Sequence, residues 1–160
     1  MTKQHKKLLL LGMGVLISLS CTSSVIAADV AGHTSGTMKI LSSIPLKNGQ
    51  TAQRVLYLVG IVTDAQEGLF HGATQQCLAT VVQTNDGSAV KGGGSCDGID
   101  PDGDVFWLSF ALEGDSPFLW TITGGTGKYA DLEMSGVTNV IAQHPDGIII
   151  GRFEGNFSGN

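Results

Sequence analysis

The sequence predicts an all-β protein, an eight-stranded antiparallel up-and-down β-barrel, with a two-sheet β-sandwich as the alternative. Three observations carry that expectation. Runs rich in β-branched and aromatic residues recur at 37–41, 54–64, 75–83, 88–96, 105–112, 118–123, 134–143 and 147–157, with turn residues between them. No amphipathic stretch competes as a helix, and Lys128 to Leu132 has room for one turn only. Finally, Gly124, Gly125 and Gly127 cluster between a strand and Tyr129. Residues without a Cβ let a chain bend sharply or approach another backbone closely. Tyr129 and Leu132 then stand where apolar mass would plug the corner. Eight antiparallel strands with short connections close into a small barrel whose centre is filled or holds one small ligand.

The strands follow a leader. Lys3, Lys6 and Lys7 form a basic start, and Leu8 to Leu19 is an apolar run too short to span a membrane. Val25-Ile26-Ala27-Ala28 ends in small residues suited to signal-peptidase cleavage, so residues 1–28 read as a secretion signal and 29–160 as one domain. Acylation at Cys21 needs a Leu-like residue three positions earlier, where Ser18 stands. The expected location is secreted or periplasmic, by bacterial export. Three of the nine Lys+Arg lie in the leader and all fourteen acidic residues lie after it, leaving six basic against fourteen acidic, about −8. That balance disfavours nucleic acid, whose phosphates need a basic face.

Asp29 to Thr34 reads as a loose start, and 37–41 as a short first strand. The second, Arg54 to Asp64, is apolar on both faces: Val55, Tyr57, Val59 and Ile61 on one, Leu56, Leu58 and Val62 on the other. Such a strand is expected to be covered on both sides, the outer one by an oligomer. Ala65 to Gly72 is a loop. The third and fourth strands meet at Asp86-Gly87, a type I′ hairpin signal. A two-residue turn there pairs Asn85 with Ser88, Gln83 with Val90, and Cys77 with Cys96. An exported chain with this pair is expected to bridge it, stabilising the fold by about 3 kcal/mol in the chain-entropy model. In that register the cysteines fall at a hydrogen-bonded site with wide Cα spacing, which a bulge at Gly92-Gly93-Gly94 would shift. Asp97 to Asp104 is an acidic loop. Val105–Leu112 carries Phe106, Trp107 and Phe110, and Phe118–Thr123 carries Trp120. His144-Pro145-Asp146-Gly147 is a type I turn between the last two strands. On the final strand Ile149, Phe153 and Phe157 share a face with Gly151 and Gly155, as on a tightly coiled inner surface.

The run Gly124-Gly125-Thr126-Gly127-Lys128-Tyr129, followed by Gly136 and a strand, resembles the GGTG-x-[FY] corner of the allene oxide cyclase and dirigent barrel superfamily. The strand before it, the hairpin after it and the closing run Phe153 to Gly159 fit as well. The likeness covers most of Arg54 to Asn160 and is specific around the corner. It implies an eight-stranded barrel with an apolar central cavity, often assembled as a trimer through the outer faces of its strands. Members cyclise small unsaturated substrates or steer the coupling of bound radicals. No segment matches the superfamily's catalytic positions, so Gly124, Gly125, Gly127 and Tyr129 carry over as structure only.

Other constellations are weighed against plain alternatives. Asp97, Asp100, Asp102 and Asp104 could offer oxygen ligands to calcium. Counted from Asp100, however, Val105 and Ala111 stand where an EF-hand needs Gly and Glu, and a solvated turn is the expected reading. Gly124 to Lys128 departs from the phosphate-loop spacing at Ile122 and Tyr129. His33, His71 and His144 sit in separate predicted loops, without metal-ligand spacing. Asn139, Arg152 and Glu154 form a polar stripe, expected on the solvent face. No convergent acid, base or nucleophile is visible, and no cofactor or metal is expected. Two functions remain in view: a barrel that binds, or also cyclises, a small apolar ligand, and a structural or interaction barrel with a filled core.

Overall fold

A computed structural model of the chain describes residues 29–114 and 116–158. The leader and Cys21 lie outside the described residues. Eight strands follow in order: β1 (Val30–Pro45), β2 (Thr51–Thr63), β3 (Thr74–Gln83), β4 (Ala89–Ile99), β5 (Val105–Glu113), β6 (Phe118–Gly125), β7 (Met134–Gln143) and β8 (Ile148–Phe157). Each pairs antiparallel with the next, and β8 pairs with β1 from Val30↔Gly155 to Thr37↔Ile148, so the sheet closes into a barrel.

The seam corrects the reading of the first strand. Asp29 to Thr34 is not a loose start: β1 begins at Val30 and His33 lies within it. Its Gly, Ser, Thr and His residues hide the strand from a propensity reading. Pairing to a neighbour on each side supplies what composition does not. At the far end β4 runs on to Ile99, which places Asp97 in a strand rather than in the acidic loop.

The β3–β4 turn is also revised. Gly87 has φ +87°, whereas Asp86 is not among the residues with positive φ, so the type I′ geometry is not formed. The Thr84 N–H donates to the Ser88 carbonyl and the Gly87 N–H to the Thr84 carbonyl, leaving a three-residue loop with left-handed Gly87 last. The Asp86 carboxylate accepts from the Ser88 N–H (3.0 Å) and from the Thr84 hydroxyl, which favours this tighter arrangement. The change would misalign the cysteines by one residue, but a bulge at Val90 restores the register: Gln83 pairs with Ala89 and Val82 with Lys91. Cys77 therefore still faces Cys96, bridged, with Cα atoms 4.0 Å apart. That is the narrow spacing of a non-hydrogen-bonded pair. The bulge, at Val90 and not in the glycine run, shifts the site from the wide to the narrow type.

The two ends of the barrel differ. The short hairpin loops β1–β2, β3–β4, β5–β6 and β7–β8 lie together at one end. The other end carries the β2–β3, β4–β5 and β6–β7 connections, and it is sealed from within. Between β6 and β7 the glycine corner leads into a 3-10 turn at Gly127–Tyr129. A Cβ on Gly125 would overlap that of Tyr129 and lie 2.6 Å from the Val105 carbonyl oxygen, while Gly127 takes φ +49°. Thr126 pins the corner to β5: its N–H donates to the Val105 carbonyl (2.7 Å), and its hydroxyl accepts from the Val105 N–H (2.8 Å). Tyr129 is thereby turned inward and fully buried, together with Phe106 and Met134.

Phe70 completes the plug. Its ring meets Phe106 edge-on at 5.0 Å and stacks on Tyr129 at 5.3 Å, and its N–H donates to the Tyr129 hydroxyl at 3.0 Å. Phe70 has φ +66°, a left-handed conformation that costs a non-glycine residue about 1–2 kcal/mol. Burying its ring contributes about 2–3 kcal/mol and offsets that strain.

The outer face of β2 is not covered within one chain: Leu58 is 47% and Val62 56% exposed. Trp107 on β5 is likewise exposed.

Candidate functional site

Above the plug, the middle of the barrel is hollow. The inward positions of β5 and β6 supply an aromatic wall (Phe106, Phe110, Trp120), and β2 and β8 supply an aliphatic one (Val59, Ile61, Ile149). Large rings fit because glycines face them: a Cβ on Gly98 would overlap the Phe106 ring, and Gly136 and Gly155 do the same for Trp120. The space left is about 120 Å³. One water needs about 10–15 Å³ on such a measure, and an engineered apolar cavity of about 150 Å³ binds benzene. The core is therefore not filled, and the hollow is the size of a small organic molecule. Val140, 42% exposed and close to the β7–β8 hairpin, lines it, so the mouth faces the hairpin end.

The cavity wall holds no charged side chain and no histidine among the described residues. Its polar groups are Thr34, Tyr57, Gln75 and Thr138, and the Cys77–Cys96 bridge forms part of the surface. Burial raises the Tyr57 phenol above its ordinary pKa, so it stays a neutral hydrogen-bond donor. The bridge leaves no thiol there. Such a wall can bind, orient and exclude water. It cannot supply an ionised acid, base or nucleophile.

The acidic turn lies at the closed end, beyond the plug. Asp100 Oδ1 accepts from the N–H groups of Asp102 (2.9 Å) and Asp104 (3.0 Å), which folds the loop back on itself. Lys128 Nζ then sits 2.6 Å from Asp100 Oδ2, an ionic contact without good hydrogen-bond alignment, and 2.8 Å from Asp102 Oδ2. Asp104 accepts the Lys128 N–H at 3.2 Å. Asp100 and Asp102 thus converge on the ammonium of the corner's own lysine, and Asp104 holds that residue's backbone N–H. Among the described residues no group of three or more His, Cys, Asp or Glu is placed to hold a metal.

Burial pushes the Asp100 carboxyl up, but its ionic contact with Lys128 and its hydrogen bonds from the two N–H groups outweigh this and hold it below the ordinary carboxylate range. The same partners, Asp100 before Asp102, raise Lys128. A carboxyl whose folded pKa is depressed stabilises the fold at pH above its unfolded value of about 3.9, and the contribution is lost as pH falls through the folded value. Asp100→Asn is accordingly expected to cost about 2 kcal/mol at pH 7. In denaturant titrations the gap to the parent protein should close below about pH 4.

The remaining candidates do not converge. His33 lies on the outer face, 3.9 Å from Asp64. His71 Nδ1 is bound to Thr63, accepting its N–H at 3.3 Å and lying 3.0 Å from its hydroxyl. His144 sits in the last hairpin turn. Asn139 pairs across from Arg152, and Arg152 reaches outward to Asp64 at 2.6 Å, so the polar stripe is on the solvent face, as expected.

Two contributors escaped the sequence reading. Phe70 had one signal, an apolar Leu69-Phe70 pair between Gly68 and Gly72 in an otherwise polar loop. Gln75 had none: a glutamine in a half-buried strand reads as outward until the register places it inside.

Fold and site together define a small closed β-barrel, plugged at one end and open at the other to a neutral, mainly apolar pocket. Comparison of the chain with family models, with curated proteins and with solved structures finds no match in any of the three. The disulfide fits an oxidising compartment. No helix among the described residues is long and apolar enough to cross a membrane.

Proposed function

We propose that the protein is an exported barrel of the allene oxide cyclase and dirigent type that holds a small, neutral, mainly apolar molecule in its interior. The hollow of about 120 Å³ carries the proposal, because a barrel built only as a scaffold has no reason to leave it open. The uncharged lining sets the ligand class. A charged ligand would lose its hydration without a counter-charge. Cyclisation of a bound unsaturated molecule, the activity the resemblance implies, would rest here on confinement in one conformation, since the wall offers no ionised group to move a proton. A trimer formed through the outer strand faces would cover Leu58 and Val62, and secretion or release into a bacterial periplasm would place the cystine in an oxidising setting.

Toluene, a neutral probe of suitable size, should bind the protein, raise its melting midpoint and change the emission of Trp120, which lines the hollow. Val59→Trp, which fills the hollow, should melt cooperatively but fail to respond. A parent protein indifferent to toluene in calorimetry and in fluorescence would overturn the proposal.

A further inference from the structure

At the open end the β1–β2 hairpin reaches past the β7–β8 turn. β8 pairs with β1 only as far as Thr37↔Ile148, and the Met38 N–H donates to the Gly147 carbonyl at 2.7 Å to end that seam. β1 and β2 run on together to Pro45↔Thr51, so β1 from Lys39 to Pro45 has a strand neighbour on one side only. Every residue from Lys39 to Gly49 is exposed. Turn tips are ordinarily polar, yet this one carries Ile40, Leu41, Ile44 and Leu46, between 37% and 59% exposed. The adjoining β7–β8 hairpin adds Ile141 and Ile148, also exposed. An apolar rim gathered at one end of a barrel marks a contact surface.

Charge is divided along the barrel axis. From Lys39 to Arg54 the hairpin carries three cations, Lys39, Lys47 and Arg54, and no acidic residue. All three are exposed, and none forms a salt bridge with a described residue. The closed end is the reverse. Its β2–β3, β4–β5 and β6–β7 connections hold two, three and two acidic residues and a single cation, Lys128, which Asp100 and Asp102 neutralise. The described acidic groups at the open end have partners of their own. Asp86 is tied into its turn by Thr84 and Ser88, Glu113 stands across from Lys91, and Asp146 lies 3.4 Å from His144. β3, β7 and β8 have 10 residues each. At about 3.3 Å per residue and a tilt of about 40° they hold the two ends roughly 25 Å apart. That exceeds two screening lengths of about 10 Å at 0.1 M salt, so the hairpin's cations act locally although the domain as a whole is acidic.

Apolar side chains on a projecting turn, bracketed by Lys39 and Lys47, suit the two layers of a lipid surface, the acyl boundary and the anionic headgroups. A second copy meeting the hairpin rim to rim would instead bring three like charges against three. We propose that the protein docks on a bilayer containing anionic phospholipid, with the mouth of the barrel toward the membrane. Leu41, Ile44 and Leu46 enter the boundary of headgroups and acyl chains, and Lys39, Lys47 and Arg54 contact lipid phosphates. The acidic closed end points away into solvent. Insertion is shallow, because the unpaired edge of β1 needs water for its backbone groups and an open strand edge is not tolerated in hydrocarbon. The chain therefore lies on the membrane and does not span it. This docking does not depend on a ligand in the hollow, but it gives the mouth a purpose: an apolar molecule leaving the bilayer would reach the interior without crossing bulk water.

Vesicle flotation tests this. The chain from Asp29 onward is used, because it contains the whole closed barrel and lacks the apolar leader, which would bind lipid by itself. Partition is measured on vesicles of phosphatidylethanolamine with phosphatidylglycerol, and on vesicles of phosphatidylcholine. The parent is compared with Ile44→Ser/Leu46→Ser, with Lys39→Gln/Lys47→Gln, and with Leu58→Ser/Trp107→Ser, which removes apolar surface from the barrel wall instead. Each is checked for a parent-like circular dichroism spectrum, melt and sedimentation velocity. The parent should bind the anionic vesicles at least about tenfold more tightly than the neutral ones, and raising salt to about 0.5 M should erase that preference. The Ile44/Leu46 and Lys39/Lys47 variants should each bind anionic vesicles about tenfold more weakly, and the Leu58/Trp107 variant should bind as the parent does. A parent that does not float with anionic vesicles overturns the proposal. So does flotation that the hairpin variants and salt leave unchanged, or that the Leu58/Trp107 variant abolishes. A parent that does not float, and whose self-association is lost when Ile44 and Leu46 are replaced, assigns the rim to a second copy instead.

Discussion

Tyr129→Ala is expected to lower stability by about 4 kcal/mol and the melting midpoint by roughly 15 °C, more than any other single substitution considered. The residue is fully buried, and its ring stacks on Phe70 and lies 5.1 Å from Phe106. Truncation leaves a void beside Phe70 and Phe106 and strips the buried Phe70 N–H of its acceptor. The left-handed backbone at Phe70 then loses the contacts that offset its strain. Tyr129→Phe separates the two parts. It keeps the ring and leaves one buried N–H unpaired, so it should cost about 1–2 kcal/mol. Thermal and urea unfolding of the two variants side by side checks both values. Equal costs for the two would mean that the ring contributes nothing, against the view of Tyr129 as the plug.

The second large effect is expected at the cystine. Replacing Cys77 and Cys96 together with alanine removes a cross-link between residues separated by 19 positions and should cost about 3 kcal/mol, roughly 10 °C in midpoint. Both residues are only 5% exposed, so the bridge in the folded protein presents little surface to an attacking thiol. Dithiothreitol should therefore reduce it slowly under native conditions and quickly in denaturant. Mass spectrometry of alkylated protein over a time course follows both rates, and rapid native reduction would show that the barrel opens readily at β3–β4.

The elements legible in the sequence were those whose composition and fold agree. Val55–Val62, Val105–Leu112 and the last hairpin alternate or run apolar as strands must, and glycines 124, 125 and 127 mark the corner where a Cβ has no room. The disulfide was legible for a partly accidental reason. The turn at Asp86-Gly87 takes a different form from the one its dipeptide suggests, and the bulge at Val90 cancels the shift. Nothing local announces such a bulge, since it is imposed by the pairing of whole strands. The first half of β1 was illegible for a related reason. Its strand state is supplied by neighbours β2 and β8, the latter more than a hundred residues away in sequence.

The candidate site was less legible than the fold. Its apolar wall follows from strand alternation, but its size depends on how far the glycines let the strands coil. The role of Gln75 depends on register alone. The acidic turn had an oxygen-rich pattern that invites a cation, and only the folded chain shows Lys128 brought to Asp100 and Asp102 from another connection. Charge pairing over long sequence separation has no short-range signature.

The claim on which the functional reading depends is that the closed barrel keeps an open apolar interior above the Tyr129 plug. Crystals of the protein pressurised with xenon test it most directly, because xenon enters apolar cavities and scatters strongly. The account predicts a xenon site inside the barrel, bounded by Trp120, Ile61 and the Cys77–Cys96 bridge, with the plug residues undisturbed. An interior without xenon, filled by the side chains of Phe110 and Trp120, would contradict it.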